Sequence, residues 1–426
     1  MPHINRQQPN GATSKTATID EKIALVPNAP QQVDRLLKEI SVQGQELCNG
    51  RSEARLRLVE AAQSLVYALE TPREATFRYC WSHVTAFPTI EACVDLGIFP
   101  LLASSDTPKS VAELAEATGA EEDLLGRLLK HLAALGVVVE TGPDEYRANG
   151  FSTALAIPRY GEAFACLSGC TIPALQALPA WLKENNYRSP TDPEDSPFTM
   201  GFNTDLHFFE WINTVPTYPA LPSHFNGLMS AYHQGRPSWM DVGFYPVEEM
   251  LINGAQSGKQ DVFLVDVGGN KGYDIMEFHR KWPNAPGRLI LQDLPAVVGD
   301  IPTIDRRIEP MAHDFFTAQP VKGARAYYLH SILHDWSDEA CQKILTQLMA
   351  AMVPGYSKLL INENVIPSTG AHWQTTSLDI IMMVDVASRE RTERAWYQLI
   401  ESVGLKVLKV WTVPDSVDSL IECELA

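Results

Sequence analysis

The first part of the chain has apolar residues at helical spacing. Between residues 30 and 70 they recur every three or four positions, as at Val33, Leu36, Leu37 and Ile40. A second stretch, FRYCWSHVTAFPTIEACVDLGIFPLL, is aromatic and apolar around most of its circumference. Such a stretch suits either the core of a domain or contact with a second subunit. The pattern predicts a helical N-terminal domain and leaves both roles open for the second stretch.

Residues 107–148 combine two short helical patterns with a hairpin pattern. Ser110 is a suitable N-cap for a helix that runs through Thr118, and Gly119 is suited to end it. A second helix is predicted over Glu121–Leu135, and VVVE, Gly-Pro-Asp and EYRA then predict a hairpin. This order is typical of a winged helix, which binds DNA in some proteins and only packs against protein in others.

The second half of the chain has the pattern of an α/β fold. Residues 185–245 are rich in Pro, Asn, Asp and aromatic residues, which predicts a linker followed by a lid, a pocket wall or irregular core. After residue 260, strand-like runs alternate with helical ones, which predicts a doubly wound, mainly parallel sheet with helices on both faces. We therefore expect a disordered tail at 1–30, a helical winged-helix domain at 31–180 and a Rossmann-like domain at 181–426.

Composition removes several functional classes. The 426-residue chain has 34 basic and 52 acidic residues and a net charge of −18, which argues against a nucleic-acid or anionic-membrane binder. Its seven cysteines form no CxxC pair, so we predict neither a zinc site nor a disulfide framework. We see no apolar run of about 18 residues and no secretory h-region. We therefore expect a cytoplasmic protein without a metal.

The run LVDVGGNKGYD, residues 264–274, marks the first candidate site. Gly268 and Gly269 let the backbone pass close to a ligand, and Asn270 stands where a third glycine would be expected. The spacing lacks the full dinucleotide pattern, which disfavours an NAD-dependent dehydrogenase. Asp266, at the strand end, would repel a phosphate and tolerate a cationic amino-acid group.

Two further acids follow strand or loop ends. Asp293 in RLILQDLP is placed to accept both hydroxyls of a ribose. Asp314 in MAHDFF can accept from an adenine amino group, and Phe315 can cover the face of a base. Each acid alone could be a simple turn residue. Together they describe a cradle for adenosine without a phosphate clamp.

The order of these motifs, followed by LHSILHDWSDE and a downstream ERT, resembles the class I S-adenosylmethionine-dependent O-methyltransferases of plants and fungi. These include the caffeic-acid type and the fungal polyketide O-methyltransferases. The resemblance implies S-adenosyl-L-methionine as cofactor, a homodimer formed by the N-terminal domain, and cofactor contacts from Leu294 and His330. In that family the position of His330 carries a lysine in plant members.

His334 is the candidate general base. It follows a predicted strand and precedes a helix that Ser337 can cap, so its imidazole is expected at the carboxyl edge of the sheet. An imidazole with a pKa near 6.5 can take the proton of a phenol as methyl arrives. The resemblance assigns this role to His334 and places Glu363 and Glu390 beside it. A structural cap, a strand-end acid and a solvated charge are the respective alternatives.

The acceptor is expected to be a phenolic or polyketide small molecule. The candidate acceptor-binding residues combine aromatic, thioether and polar side chains. They are Asn226, Met229, Trp239, Asp335 and Met382. Two other functions stay open at this point: a relative of the same fold that binds S-adenosylmethionine for a pericyclic reaction without methyl transfer, and a DNA-binding regulator that senses a metabolite.

Overall fold

The N-terminal half of the molecule is helical. The structure, a computed structural model, describes residues 19–426 except 216, 233, 259, 302–303 and 414–415. The helices of this half are α1 Val33–Cys48, α2 Ala54–Leu69, α3 Pro72–Phe77, α4 His83–Asp95, α5 Ile98–Ala103, α6 Val111–Thr118, α7 Glu122–Ala134, α8 Gly150–Leu155, α9 Pro158–Cys170, α10 Ile172–Glu184, α11 Pro197–Phe202, α12 Phe208–Thr214 and α13 Leu221–Tyr232.

Most of the tail predicted at 1–30 lies outside the described residues, which begin at 19. The described part is not structureless, since Glu21–Leu25 forms a 3-10 helix. The backbone N–H groups of Asn28 and Ala29 donate to carbonyls of Glu70 and Ala68 at 2.9 and 3.0 Å. These bonds attach the segment to the end of α2, so the disorder predicted up to residue 30 reaches too far.

The winged helix is present as predicted. Ser110 caps α6 in a reciprocal box with Glu113, whose carboxylate accepts from the Ser110 N–H at 2.7 Å. Gly119 ends the helix with a φ of 75°. Strands β2 (Val139–Gly142) and β3 (Glu145–Arg147) form the hairpin, and β1 (Lys109–Ser110) pairs with β3.

The aromatic stretch that precedes the winged helix divides between core and surface. Ile98, Phe99 and Leu102 are buried within the winged-helix core. Tyr79 and Trp81, in a π-helical turn at Arg78–Ser82, are exposed. One part of the stretch is therefore core, and the other part leaves aromatic side chains on the surface.

The described part of residues 185–245, predicted as linker, lid or irregular core, contains three helices. Ser196 caps α11, Pro197 occupies its first turn, and Asn203 ends it in a left-handed conformation. Helix α11 packs on α10, and α13 packs on α9. The Pro and Asn residues that suggested a loop thus mark helix ends, and the helical layer continues beyond the boundary predicted at residue 180.

Helices α9 and α10 form one nearly continuous apolar segment, Pro158–Glu184. By length and composition it could cross a membrane, which corrects the expectation that no such run exists. Thr171 interrupts the segment with a φ of −134°, and α9 packs against α4 and α13. A single candidate of this kind is weak evidence for a membrane span.

The C-terminal half is the predicted doubly wound sheet. Its strands are β4 Val262–Val267, β5 Arg288–Asp293, β6 Ile308–Ala312, β7 Ala326–His330, β8 Lys358–Ile366, β9 Arg391–Thr392, β10 Leu405–Trp411 and β11 Asp418–Leu425. Their order across the main sheet is β10-β11-β8-β7-β4-β5-β6, with β9 beside the end of β8. Strands β4 to β8 pair in parallel, whereas β11 is antiparallel to both of its neighbours.

Helices cover both faces of this sheet. They are α14 Tyr273–Lys281, α15 Pro295–Gly299, α16 Asp338–Met349, α17 Trp373–Val386 and α18 Glu393–Ser402. Helices α16 and α18 pack on one face, and α14 packs on the other together with residues 239–251. Because β4, β5, β7 and β8 are parallel, their carboxyl ends meet along one edge, where the predicted chemistry lies.

Candidate active site

The loop after β4 leaves no room for side chains at its glycines. A Cβ atom on Gly268, where φ is 73°, would lie 2.7 Å from Cδ1 of Ile332. A Cβ atom on Gly269 would lie 2.5 Å from the carboxyl carbon of Asp266. Asn270 adopts a left-handed φ of 51°, the conformation that asparagine tolerates best among non-glycine residues. The backbone therefore forms a bare surface over the strand ends.

Asp266 supports this loop from beneath. The sequence predicted that it faces the cofactor, but the residue is buried under Gly269 and lies 1% exposed. Burial, together with the nearby carboxylate of Asp274, holds the pKa of Asp266 well above its ordinary value. The carboxyl therefore packs beneath the backbone of the loop.

Asp293 ties the ends of β4 and β5 together. Its Oδ2 accepts from the N–H of Asn270 at 2.8 Å, and its Oδ1 accepts from the N–H of Leu294 at 2.7 Å. Burial raises the pKa of this carboxyl. The side chain of Leu294 is exposed at the loop surface, where it can cover a bound ring. The positions of both residues agree with a nucleoside site.

Asp314 and Phe315 lie near the same edge. The Asp314 carboxylate accepts from the N–H of Phe316 at 2.9 Å, so it has the turn role that the sequence left open. Phe315 has its Cε1 atom 3.6 Å from the point that a Cβ on Gly268 would occupy, so its ring borders the glycine loop.

A polar network lies on the α14 side of the sheet. His330 contacts Asp274 through Nδ1 at 2.6 Å, and the Tyr328 hydroxyl donates to the same carboxylate at 3.1 Å. Burial alone would lower the pKa of His330, but the charge and hydrogen bond of Asp274 raise it to about 9. Arg236 donates to Asp418 at 2.9 Å, and all of these side chains line one cavity of about 60 Å³.

Sequence reasoning missed Asp274, Arg236 and Asp418. Asp274 lies in the first turn of α14 directly after the glycine loop, a position that could have identified it. Arg236 and Asp418 are 182 residues apart in the chain. Only the fold brings them together, so no local signal indicated the pair.

The His334 ring is held by Glu390. His334 lies in the 3-10 turn Leu333–Asp335 that follows β7, and its Nδ1 is 2.7 Å from Oε1 of Glu390. Both residues are buried. If Nδ1 carries the proton and donates it to Glu390, Nε2 is left as the basic atom. The predicted pairing of an imidazole with an orienting carboxylate is thus present in the geometry.

Glu363 acts mainly on the backbone of the same turn. The sequence placed it at the end of a strand, but β8 continues to Ile366 and Glu363 is fully buried within it. Its Oε1 accepts from the N–H groups of Ile332 and Leu333 at 3.0 and 2.7 Å. Its Oε2 is 3.9 Å from Nδ1 of His334, a distance for charge interaction rather than a hydrogen bond.

Electrostatics make His334 a strong base. Burial alone would lower its pKa, but the carboxyl groups of Asp335, Glu363 and Glu390 raise it well above that of a free imidazole. Asp335 has its Oδ1 3.5 Å from Nε2. Burial raises the pKa of Asp335 to about 7, although His334 opposes this.

The same three side chains also offer a possible ligand set for a cation. One ligand atom from each of His334, Glu363 and Glu390 lies within 4.8 Å of the others. In the arrangement observed, Nδ1 is bonded to Glu390 and Glu363 to two backbone N–H groups. The contacts therefore describe an oriented base, and Oε2 of Glu363 and of Glu390 has no hydrogen-bond partner among the described residues.

The acceptor-binding candidates divide into two groups. Asn226 and Met229 lie on α13, and Met382 on α17 packs with the aromatic cluster that joins α12 and α13. Trp239 is instead in the core on the α14 side, stacked at 6.0 Å on Phe278, with 1% of its surface exposed. Its burial makes it a wall of the cavity beside His330, so its assignment to the acceptor is not supported.

Two family models match the sequence of this chain. Models of an O-methyltransferase domain and an O-methyltransferase dimerisation domain match residues 258–406 and 81–157. A methyltransferase of Aspergillus candidus is 39% identical over 87% of this chain and 90% of its own. Demethylsterigmatocystin 6-O-methyltransferase of Aspergillus parasiticus is 41% identical over 74% and 79%.

Solved structures agree over almost the whole length. A structure described as a pericyclic reaction enzyme is 30% identical, with a TM-score of 0.83, and the match covers 92% of this chain and 100% of the other. The complex of LepI with SAM is likewise 30% identical with a TM-score of 0.83, over 92% and 99% of the two chains.

Proposed function

Because this chain belongs to the family of S-adenosylmethionine-dependent O-methyltransferases, we propose that its acceptor is a phenolic hydroxyl of a polyketide-like small molecule and that His334 is the general base. The observation that carries the proposal is the buried His334–Glu390 pair at the carboxyl edge of the sheet, 2.7 Å apart. The name of the Aspergillus parasiticus relative, which specifies methylation of an oxygen on demethylsterigmatocystin, supports this acceptor class.

The residues present fit S-adenosyl-L-methionine. The loop at Gly268 and Gly269 would be filled by any Cβ atom, which leaves a backbone surface for the cofactor. Asp293 stands at the end of β5, where a ribose would be held. When bound, the cofactor supplies a methyl group on a sulfonium, which is already activated for in-line displacement.

The cavity between His330 and Arg236 supports a place for the amino-acid end of the cofactor. It contains both signs of charge, with Asp274 and Asp418 opposite the two cationic groups. Nη2 of Arg236 is buried without an acceptor among the described residues. A zwitterion can bring a carboxylate to this nitrogen, since a buried donor without a partner costs free energy.

The base acts through Nε2. A phenol has a pKa near 10 and is mostly protonated at neutral pH. As the acceptor oxygen forms its bond to the methyl carbon, its proton passes to Nε2 of His334. Glu390 and Glu363 then stabilise the imidazolium, as a carboxylate does in other histidine-based catalysts.

A second candidate function is a pericyclic reaction without methyl transfer. The match to a pericyclic reaction enzyme with a TM-score of 0.83 favours it, because that fold extends over the same length of chain. Such a reaction needs no proton acceptor at a hydroxyl. The imidazole with its carboxylate neighbours therefore favours methyl transfer.

An incubation of the purified chain with methyl-labelled cofactor and matched pairs of phenols and their O-methyl ethers tests the proposal. We expect label only in the products from free phenols. Replacement His334→Asn should lower the turnover by roughly 10²–10⁴-fold with unchanged cofactor affinity. Rearranged acceptor without label would support the pericyclic alternative, and unchanged turnover in the variant would remove His334 from the reaction.

We further infer a homodimer formed through the dimerisation domain. The exposed apolar residues Tyr79, Trp81 and Val84 lie at or next to the start of the matched dimerisation region. Exposed aromatic residues of this kind are enriched in subunit interfaces. Light scattering coupled to size-exclusion chromatography should give a mass of two chains for the wild type and of one chain after Trp81→Glu.

A further inference from the structure

One guanidinium group holds the backbone of the turn that carries His334. Arg391 is 1% exposed, and its Nη1 donates to the carbonyl of Leu333 at 2.7 Å. Its Nη2 donates to the carbonyl of Trp336 at 2.8 Å. These two carbonyls flank His334 and Asp335, so a single rigid side chain fixes both ends of the turn.

A carboxylate holds the backbone N–H groups at the start of the same turn. Glu363 accepts from Ile332 and Leu333, the two residues before His334. Ser331, which starts the turn, has a left-handed φ of 51° that a serine rarely adopts. The surrounding contacts must hold such a backbone in place, and Glu363 and Arg391 supply those contacts from two sides.

Arg391 follows Glu390 directly in the chain, so two consecutive residues hold His334 and its turn. Strand β9 places Arg391 opposite Val365 at the end of β8. Glu390 then bonds to the ring of His334, while Arg391 bonds to the backbone on either side of it. The dipeptide therefore fixes both the position and the rotation of one imidazole.

We propose that Arg391 is a positioning residue for His334, which sets the direction in which Nε2 meets the acceptor hydroxyl. The inference rests on the proposed role of His334 as base. A displacement of about 1 Å at a reacting atom can reduce a rate by roughly 100-fold. The position of the turn therefore matters for the rate, beyond the stability that the hydrogen bonds provide.

The fork of an arginine is essential to this role. A lysine has the same charge but presents a single nitrogen, which cannot bridge two carbonyls in fixed directions. Arg391→Lys therefore keeps the buried charge and removes the bridge. Arg389 is a matched control, because it donates to Asp338 as Arg391 does, but it is half exposed and does not bond to the turn.

The experiment compares Arg391→Lys with Arg389→Lys in the full chain, each also in a His334→Ala background. We measure kcat, the KM of the acceptor and the Kd of S-adenosylmethionine. Arg391→Lys should lower kcat by about 10- to 100-fold with the cofactor Kd unchanged, and Arg389→Lys should match the wild type. In the His334→Ala background, Arg391→Lys should cause no further loss, because both residues act through one imidazole.

Each outcome has one meaning. If the wild type transfers methyl and Arg391→Lys has the same kcat, or if it lowers the residual rate of His334→Ala by the same factor, Arg391 does not position the base. If the wild type transfers no methyl, the proposed function fails instead. If Arg391→Lys does not fold, Asp338→Asn is the alternative variant, because it weakens the ion pair between Asp338 and the Arg391 guanidinium. This variant should also lower kcat, and an unchanged kcat would overturn the inference.

Discussion

Replacement of Glu390 by glutamine changes the charge that faces His334 and keeps the shape of the side chain. In the wild type, the Glu390 carboxylate lies 2.7 Å from Nδ1 and both side chains are buried. Glutamine can still accept from Nδ1 through its amide oxygen. The variant therefore isolates the electrostatic contribution of one carboxylate.

The size of the effect follows from the charge that this hydrogen bond loses. A hydrogen bond to a charged group contributes about 1.5–3 kcal/mol, and about 1.4 kcal/mol corresponds to a factor of ten. The bond from glutamine is neutral and contributes about 0.5–1.5 kcal/mol. The imidazolium that forms during the reaction therefore loses about 1–1.5 kcal/mol, so kcat should fall by about tenfold. The cofactor Kd should not change, because Glu390 contacts His334 and Asp379 and does not line the Arg236 cavity.

The pH dependence supplies the sharper test. The base must be unprotonated to act, so kcat rises as pH passes the pKa of His334. Carboxylate neighbours raise that pKa in the wild type. Removal of one carboxylate lowers it, and the rising limb of the profile should move to lower pH.

The assay is kcat measured from pH 5 to pH 10 with saturating labelled cofactor and one phenol. Glu393→Gln is the control, since Glu393 is an exposed acid three residues further along the chain. A limb at the same pH in Glu390→Gln and the wild type would refute the electrostatic reasoning, even if kcat falls.

Two further predictions concern the cofactor and the stability. In calorimetry, Arg236→Gln should raise the Kd of S-adenosylmethionine by about tenfold. The Kd of methylthioadenosine, which lacks the amino-acid end, should not change. An equal loss of affinity for both ligands would contradict the assignment of the cavity. Burial holds the pKa of Asp385 well above its ordinary value. The folded state therefore binds the proton of this carboxyl more tightly than the unfolded state does. As a result, the free energy of unfolding falls as pH rises above the unfolded pKa of about 3.9. Asp385→Asn should flatten this decline between pH 5 and 8 in urea unfolding, and an unchanged slope would contradict it.

The sequence predicted the features that local rules determine. The Ser110 cap, the Gly119 stop and the alternating pattern after residue 260 each identified an element that the structure contains. His334 and Glu363 could be selected because strand ends of a parallel sheet meet at one edge, whereas Glu390 was selected by its place in the ERT motif. Their resemblance to a known motif supplied the roles.

Features that depend on distant contacts could not be predicted. Asp266 looked like a ligand contact in the sequence. Its burial under Gly269 depends on the path of the loop, which the sequence does not show. Trp239 was assigned to the acceptor because composition does not show on which side of the sheet an aromatic residue packs. Arg391 belonged to a recognised motif, but its contacts with Leu333 and Trp336 follow only from the placement of β9 beside β8.

The crowding at Gly269 sets the freedom of the loop to vary. A methyl group there would meet the Asp266 carboxyl and Cδ1 of Leu291 at 2.5 Å, and all three atoms belong to packed strands or their ends. The next position already carries an asparagine, and its restriction is the left-handed φ of 51° rather than a lack of space for a Cβ atom. In a library made from this chain, residue 270 should therefore exchange only among amino acids that accept a left-handed backbone, such as asparagine, aspartate and glycine, whereas residue 269 should remain glycine.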